Sequence, residues 1–475
     1  MNLLENIIRK FEIFSAFYSV SYILIYLILA ALSYIAIKKY YNTKYYLHKN
    51  VLIKSNHTLG ISVIAPAFNE ACTIVYNVKS LLSQDYPKFE VIIINDGSTD
   101  DTLQKLIDEF SLVKVDFFYQ EKIETKPVKC HYKSTNPVYA KLLVVDKENG
   151  KSKADASNAG INSAKYSLFL CTDVDCILRK DTIAMLTKPF IENTTKVIAT
   201  GAAIRISNSC EFKDGMLYKS HYPDNFFARF QELEYIRSFL FGRMAWSKTN
   251  CLLLVSGGLG MFDKATVIEA GGYWHESLGE DMELITRMRR LMHEKKEKFL
   301  IIYIPESLCW TEVPSSMTIF LRQRVRWARG LVQTLYLHKN IFFNPKYGRT
   351  GLITLPHYLF FEFFVPILEV LGLVVLALDI IFFSVNYEFL LIVSVFVYFF
   401  YTTITLISIY LDQLIHKQYS SIRELATLIL MVFLEPLLYH PINVYASLKG
   451  YSHFLTNKEK KWGTMTRQGF TNAKE

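Results

Sequence analysis

Apolar and polar positions divide the chain into three regimes. From about Phe14 to Ile37 nearly every residue is apolar, and the run is long enough to span a bilayer, which takes ~20 residues. Between about residues 60 and 310, short apolar runs alternate with amphipathic stretches. Gly60–Ala67 predicts a buried strand, with Pro66 stopping its ladder, and a helix from about Ala71 to Ser83 follows. Phe89–Asn95 predicts a second strand and Asp100–Phe110 a second helix; Tyr166–Thr172 and Lys196–Ile204 predict further strands. Residues 113–150 read as extended pieces with a basic, polar insertion, and no chemistry is assigned to them. Strands alternating with helices predict an α/β domain with a mainly parallel sheet covered on both faces. In such sheets ligands gather at the carboxyl ends of the strands.

From about residue 351 to 447 Leu, Ile, Val, Phe and Tyr dominate again. Residues 357–384 and 388–410 predict two crossings, and 424–447 carries Glu435, Pro436, His440 and Pro441 in its middle. A carboxylate beside a proline is costly at mid-membrane unless protein or water surrounds it, so this stretch is expected to lie at the interface. Lys38, Lys39, Lys44, Lys49 and Lys54 outnumber Arg9 and Lys10 across the first apolar run, so the positive-inside bias puts the middle domain in the cytosol. The apolar run exceeds a signal-peptide core and has no small-residue cleavage site, so it reads as an anchor.

Composition adds two limits. The 475 residues carry a formal charge of +9. The basic residues flank apolar segments and are not interleaved with aromatics on one soluble face, so anionic lipid and phosphate are the expected partners rather than nucleic acid. The seven cysteines form no CxxC pair and no Cys/His cluster, which predicts reduced thiols and neither a structural disulfide nor a zinc site.

Candidate chemistry sits just after the predicted strands. The first ends in a turn that presents Phe68 and Glu70 at the sheet edge, and the second in Asp96-Gly97-Ser98, where a carboxylate can meet a base or ribose. Lys153 opens a helix, where the dipole disfavours a cation, so an anionic partner such as a diphosphate is expected. Asp173-Val174-Asp175 follows an apolar strand. Residues two apart in an extended segment face one way, so both carboxylates are expected to face one cation, and oxygen ligands suit Mg2+ or Mn2+. Gly279-Glu280-Asp281 begins an amphipathic helix over Met282–Met292. On another helix Gln323, Arg326 and Trp327 share a face, offering an amide for hydroxyls, a guanidinium for phosphate and a flat ring for a sugar.

Together and in this order, these elements resemble the family 2 glycosyltransferases, most closely the processive membrane branch of hyaluronan, chitin, cellulose and poly-N-acetylglucosamine synthases. The resemblance covers about residues 60 to 340 and implies a GT-A-like nucleotide-sugar-binding domain inserted between transmembrane helices. It implies that Ala65, Phe68, Glu70 and Asp96 line a uridine pocket, that Lys153 and Asp173 hold the nucleotide and its diphosphate, and that Asp175 binds the metal. Asp281 would be the catalytic base, and Gln323, Arg326 and Trp327 would grip diphosphate and acceptor sugar. Ser256–Gly260 resembles the loop beneath the acceptor, and Trp462-Gly-Thr-Met-Thr-Arg467 the gating loop that closes over bound UDP-sugar, with Trp462 and Arg467 as substrate-binding residues. The base motif has Gly279 where cellulose synthases have threonine.

The implied activity is inverting transfer from a UDP-sugar, with UDP-N-acetylglucosamine or UDP-glucose favoured, to a growing β-linked glycan at the cytosolic face of the plasma or inner membrane. Alternatives are single transfer to a lipid-linked acceptor and, more remotely, a non-catalytic membrane scaffold with a degenerate transferase domain. The expected organisation is an anchor over 1–50, the transferase domain over 51–312, interface helices over 313–350 and transmembrane helices over 351–412. An interfacial helix over 413–450 and a gating tail over 451–475 complete it. With about three crossings, export would call for a homo-oligomer or a partner.

Overall fold

The computed structural model describes residues 3–43, 58–213, 216–382, 387–416, 419, 421–457 and 471–472. Several lysines behind the expected orientation, and the Trp462–Arg467 element, lie outside the described residues.

A ten-stranded sheet forms the centre of the middle domain. Its strands are β1 (Ile61–Ala67), β2 (Phe89–Asp96), β3 (Leu112–Val115), β4 (Val128–Ser134), β5 (Leu142–Lys147), β6 (Leu168–Thr172), β7 (Ile177–Leu178), β8 (Lys196–Ile206) and, after the short ribbon of β9 (Glu211–Lys213) and β10 (Met216–Lys219), β11 (Leu259–Asp263) and β12 (Phe299–Thr311). The order is β3-β4-β5-β2-β1-β6-β11-β8-β12-β7. β5, β2, β1 and β6 run parallel, as do β8 and β12, while β4 and β11 run antiparallel to both neighbours. The central strands are buried on both faces, which is why they read as unbroken apolar runs.

Two local expectations change. Pro66 does not end β1: it stays in register with Ile94 of β2, and only the pairing with β6 stops, at Ile64. A proline lacks one donor, so it is tolerated where one neighbour has already left. β11 was not foreseen as a strand. It inserts antiparallel between β6 and β8 and lowers the loop at Ser256–Gly258 onto the end of β6.

Among the described residues, four helical segments are long and apolar enough to cross a membrane by length and composition: Leu3–Asn42, Thr350–Phe382, Leu390–His416 and Ile422–Leu455. The last contains Glu435, which is fully buried and takes two hydrogen bonds from Arg237, at 2.8 and 2.9 Å. Its charge is met by protein, the circumstance in which a mid-membrane carboxylate is tolerated. Pro436 sits in a π-helical turn, Glu435–Tyr439, that interrupts this helix. The apolar helices also share the interior of the sheet domain: Ala36, Ile37 and Leu411 belong to the same buried cluster as Ile92, Leu170 and Phe262. Arg205 of β8 pairs with Asp412 near the end of the Leu390–His416 segment. All seven cysteines are free.

Candidate active site

Phe68, Glu70, Asp96, Lys153, Asp173 and Asp175 collect at the carboxyl ends of β1, β2, β5 and β6. After β1, Asn69 takes the left-handed conformation (φ 56°) and its side chain bonds Thr99, while Ser98 accepts from the Asn69 amide. Glu70 N–H reaches Thr102 and Ala71 N–H reaches Asp100. These bonds stitch the loops after β1 and β2 into one rim, on which Phe68 is exposed and Glu70 half-buried. Ala65 lies fully buried within β1, so its side chain adds no surface to this rim.

Asp96 ends β2 and is nearly buried. Its Oδ1 accepts from Lys147 Nζ at 2.9 Å and from Gly150 N–H at 3.0 Å. Burial pushes its carboxyl up, while Gly150 and Lys147 pull the other way. Lys147 ends β5, is wholly shielded from solvent, and spends its other protons on Asp155 and the Glu148 carbonyl. Lys147 was missed by the sequence reading. The signal was a lysine closing an otherwise apolar strand, which is costly unless paired.

Asp155 and Lys153 stand on the helix Lys153–Ser163, capped by Ser152. Lys153 has its anionic partner within the chain: Nζ pairs with Asp173 and donates to the Gly257 carbonyl at 2.7 Å. Burial would lower the ammonium, but the Asp173 charge outweighs it and holds Lys153 above its ordinary value.

Asp173 and Asp175 do not lie in an extended segment. β6 ends at Thr172, and the chain reverses through a turn closed by Cys176 N–H on the Asp173 carbonyl, at 3.0 Å. The turn still gathers ligands: one oxygen from each carboxylate and the Cys176 sulfur lie within 4.8 Å of one another. Two hard oxygens at the rim, with space left for phosphate and water, fit a divalent cation.

The Ser256–Gly258 loop runs through the middle of the site. A Cβ on Gly257 would sit 3.2 Å from Asp281 Oδ2 and 3.7 Å from Lys153 Nζ, and one on Gly258 would sit 3.6 Å from Asp173 Oδ2. Bare backbone here lets the Asp281 carboxylate, the Lys153 ammonium and the candidate metal ligand Asp173 converge around one short loop. Asp281 lies in the first turn of the helix Glu280–Glu294, its Oδ1 taking the Met282 N–H.

Glu280 is buried beside it. Burial, and then the Asp281 charge, push its carboxyl up to about 7, against the pull of Arg326 and Lys153. The folded protein therefore keeps a proton that the unfolded chain releases. This contribution to stability is fully present below the ordinary value of 4.5 and is lost as pH rises through about 7. Glu280→Gln cannot ionise, so thermal melting across that window should show the wild type losing ground to the variant. Parallel curves would remove the shift.

The helix Met317–Leu337 supplies the other wall. Arg326 acts on Glu280, Trp327 is partly exposed, and the Gln323 Oε1 is buried without a hydrogen-bond partner among the described residues. Arg324, between them in sequence, turns away: it pairs with Glu234, reaches the Tyr439 hydroxyl at 3.1 Å and covers the Trp327 ring at 4.4 Å. The structure thus brings the Lys153, Asp173, Asp175, Asp281 and Arg326 elements together. Asp96 joins them through Lys147 and Asp155.

Comparison with known proteins bears on the family and the fold of the chain. A model described as "Glycosyl transferase family 2" matches residues 62–122, and one described as "Glycosyltransferase like family 2" matches residues 117–330. A poly-beta-1,6-N-acetyl-D-glucosamine synthase of Staphylococcus epidermidis is 29% identical over 321 residues, 67% of this chain and 64% of that protein. A synthase of the same name from Staphylococcus aureus (strain MSSA476) is 28% identical over 290 residues, 60% of this chain and 58% of its own. The chain therefore spans less than two thirds of the length of these relatives. Among solved structures, the mannosyltransferase PcManGT from Pyrobaculum calidifontis, in complex with GDP-Man and Mn2+, superposes with a TM-score of 0.54. That match covers 92% of this chain and 100% of that one at 19% identity, a likeness of fold.

Proposed function

We propose, for a chain that belongs to the family 2 glycosyltransferases, that it transfers N-acetylglucosamine from UDP-N-acetylglucosamine to a growing β-linked glycan at the cytosolic face of a membrane. The observation that carries this reading is the meeting of Lys153, Asp173 and Asp281 around Gly257. The choice of sugar follows the curated relatives, which are named as poly-beta-1,6-N-acetyl-D-glucosamine synthases. The four apolar helical segments support a membrane location.

In this mechanism Phe68, Glu70 and Asp96 receive the uridine, and Lys147 holds Asp96 in place. Lys153 answers the diphosphate, exchanging its internal partner Asp173 for the incoming anion. Asp175, with Asp173 beside it, would hold Mg2+ or Mn2+, which when bound neutralises charge on a leaving diphosphate. Asp281 takes the proton of the acceptor hydroxyl, which attacks the anomeric carbon from the face opposite UDP. Inversion of an α-linked donor gives a β-linked product. Gln323 offers its buried carbonyl oxygen to an acceptor hydroxyl and Trp327 its ring to the sugar face. Trp462 and Arg467 would close over the donor as a gating loop.

The test is UDP release by detergent-purified protein with a panel of UDP-sugars and Mg2+ or Mn2+, with product sizing. Metal-dependent turnover of UDP-N-acetylglucosamine into long chains is expected. Single-sugar products would move the protein to lipid glycosylation, and turnover of UDP-glucose alone would overturn the donor.

A further inference from the structure

Asp281 acts on an acceptor only if its turn stays fixed against the helix Met317–Leu337, which bears Gln323, Arg326 and Trp327. Gln333 of that helix holds the turn from two sides. Its Oε1 accepts the Leu278 N–H at 3.1 Å, and its Nε2 donates to the Glu276 carbonyl at 2.9 Å. Three residues earlier on the same face, Gly330 lets the two backbones touch: a Cβ there would lie 2.7 Å from Gly279 N and 2.9 Å from Gly279 Cα. This contact gives a spatial reason for Gly279, since a side chain at that position would meet the Gly330 backbone at 3.3 Å. Beyond Asp281, buried Glu283 meets buried His338 at 3.3 Å, and His338 directly follows the same helix. Asp281 is therefore bracketed by two ties to one helix. Gln323 lies seven residues before Gly330 on that helix, about 10 Å along its axis.

We propose that Gln333 is a positioning residue for glycosyl transfer: by clamping residues 276–278 it fixes the distance between the Asp281 carboxylate and an acceptor held by Gln323 and Trp327. This rests on the transferase reading above. The donor rim at Phe68, Asp96 and Lys147 belongs to other strand ends and takes no part in the clamp. Loosening the clamp therefore lowers kcat and spares donor binding. A misplacement of about 1 Å at a reacting centre costs on the order of a hundredfold in rate.

The experiment uses the full chain in detergent. Gln333→Ala should lower kcat about ten- to a hundredfold with the donor KM and the UDP dissociation constant unchanged. Thr200→Ala removes one buried hydrogen bond, from β8 to the Leu186 carbonyl of the helix Thr182–Glu192, and should keep kcat despite a similar fall in melting temperature. In an Asp281→Asn background, Gln333→Ala should lower the residual rate no further, because a residue that acts through Asp281 has nothing left to position. Hydrogen exchange of ligand-free protein should quicken over residues 276–282 and not over 65–70 in Gln333→Ala. An undiminished kcat, a loss matched by Thr200→Ala, an additive loss in the Asp281→Asn background, or unaltered exchange would each overturn the clamp. A wild type that turns over no UDP-sugar fails the transferase reading instead, and the exchange experiment still decides the clamp.

Discussion

Asp281→Asn is expected to reduce transfer by roughly a hundredfold to ten-thousandfold, the range that a positioned proton acceptor contributes, while leaving UDP binding unchanged. The substitution keeps shape and hydrogen bonding to the Met282 N–H while removing the capacity to take a proton and the negative charge. Around Gly257 the Asp281 carboxylate lies close to the Lys153 ammonium, so loss of its charge leaves Lys153 with Asp173 as a partner. Donor affinity is therefore preserved. Initial rates and UDP titration calorimetry on the same preparation separate the two effects. Undiminished turnover would remove Asp281 as the base, and collapse of UDP binding would make it a structural residue.

Arg237→Ala is expected to destabilise the protein by about 3–5 kcal/mol, as breaking a buried ion pair does when one charge is left behind. Glu435 is fully buried, and its two oxygens take both terminal nitrogens of Arg237 at 2.8 and 2.9 Å; the guanidinium also donates to Thr405 at 2.9 Å. Removal of Arg237 leaves a carboxylate inside an apolar helix pair. The double variant Arg237→Met/Glu435→Gln should recover most of the loss, because it leaves no uncompensated charge. Melting temperatures in one detergent test both. A single variant as stable as the wild type would mean that water reaches Glu435.

Much of this was legible in the chain. β1, β2 and β6 were readable because strands buried on both faces appear as unbroken apolar runs, and their chemistry follows directly after them. The family resemblance, drawn on Asp96, Lys153, Asp173-Val-Asp175, Asp281 and Gln323–Trp327, agrees with the family models that match residues 62–330. What escaped was decided by distant partners. Lys147 lies in the stretch read only as extended pieces, and its partner Asp96 is fifty-one positions away on a neighbouring strand. Gln333 had no local pattern, because what it binds is the backbone of a different helix's approach. Leu259–Asp263 was hidden by the glycines just before it, which suggested a loop. Asp173 and Asp175 were expected to meet because of strand alternation; they meet through a turn, whose hydrogen bond from Cys176 the residue spacing does not reveal.

The sharing of one interior between sheet and apolar helices bears on how the molecule comes apart. Ala36, Ile37 and Leu411 pack among the residues of the sheet core, and buried Arg205 of β8 pairs with Asp412 as well as with Glu232. Cutting the helices away would uncover apolar surface and remove one of the two carboxylates that pair with a buried guanidinium. Catalytic unit and anchor are thus not interchangeable modules joined by a tether. They should melt in a single transition, and the bilayer that holds the helices thereby becomes a determinant of the enzyme's own folding equilibrium.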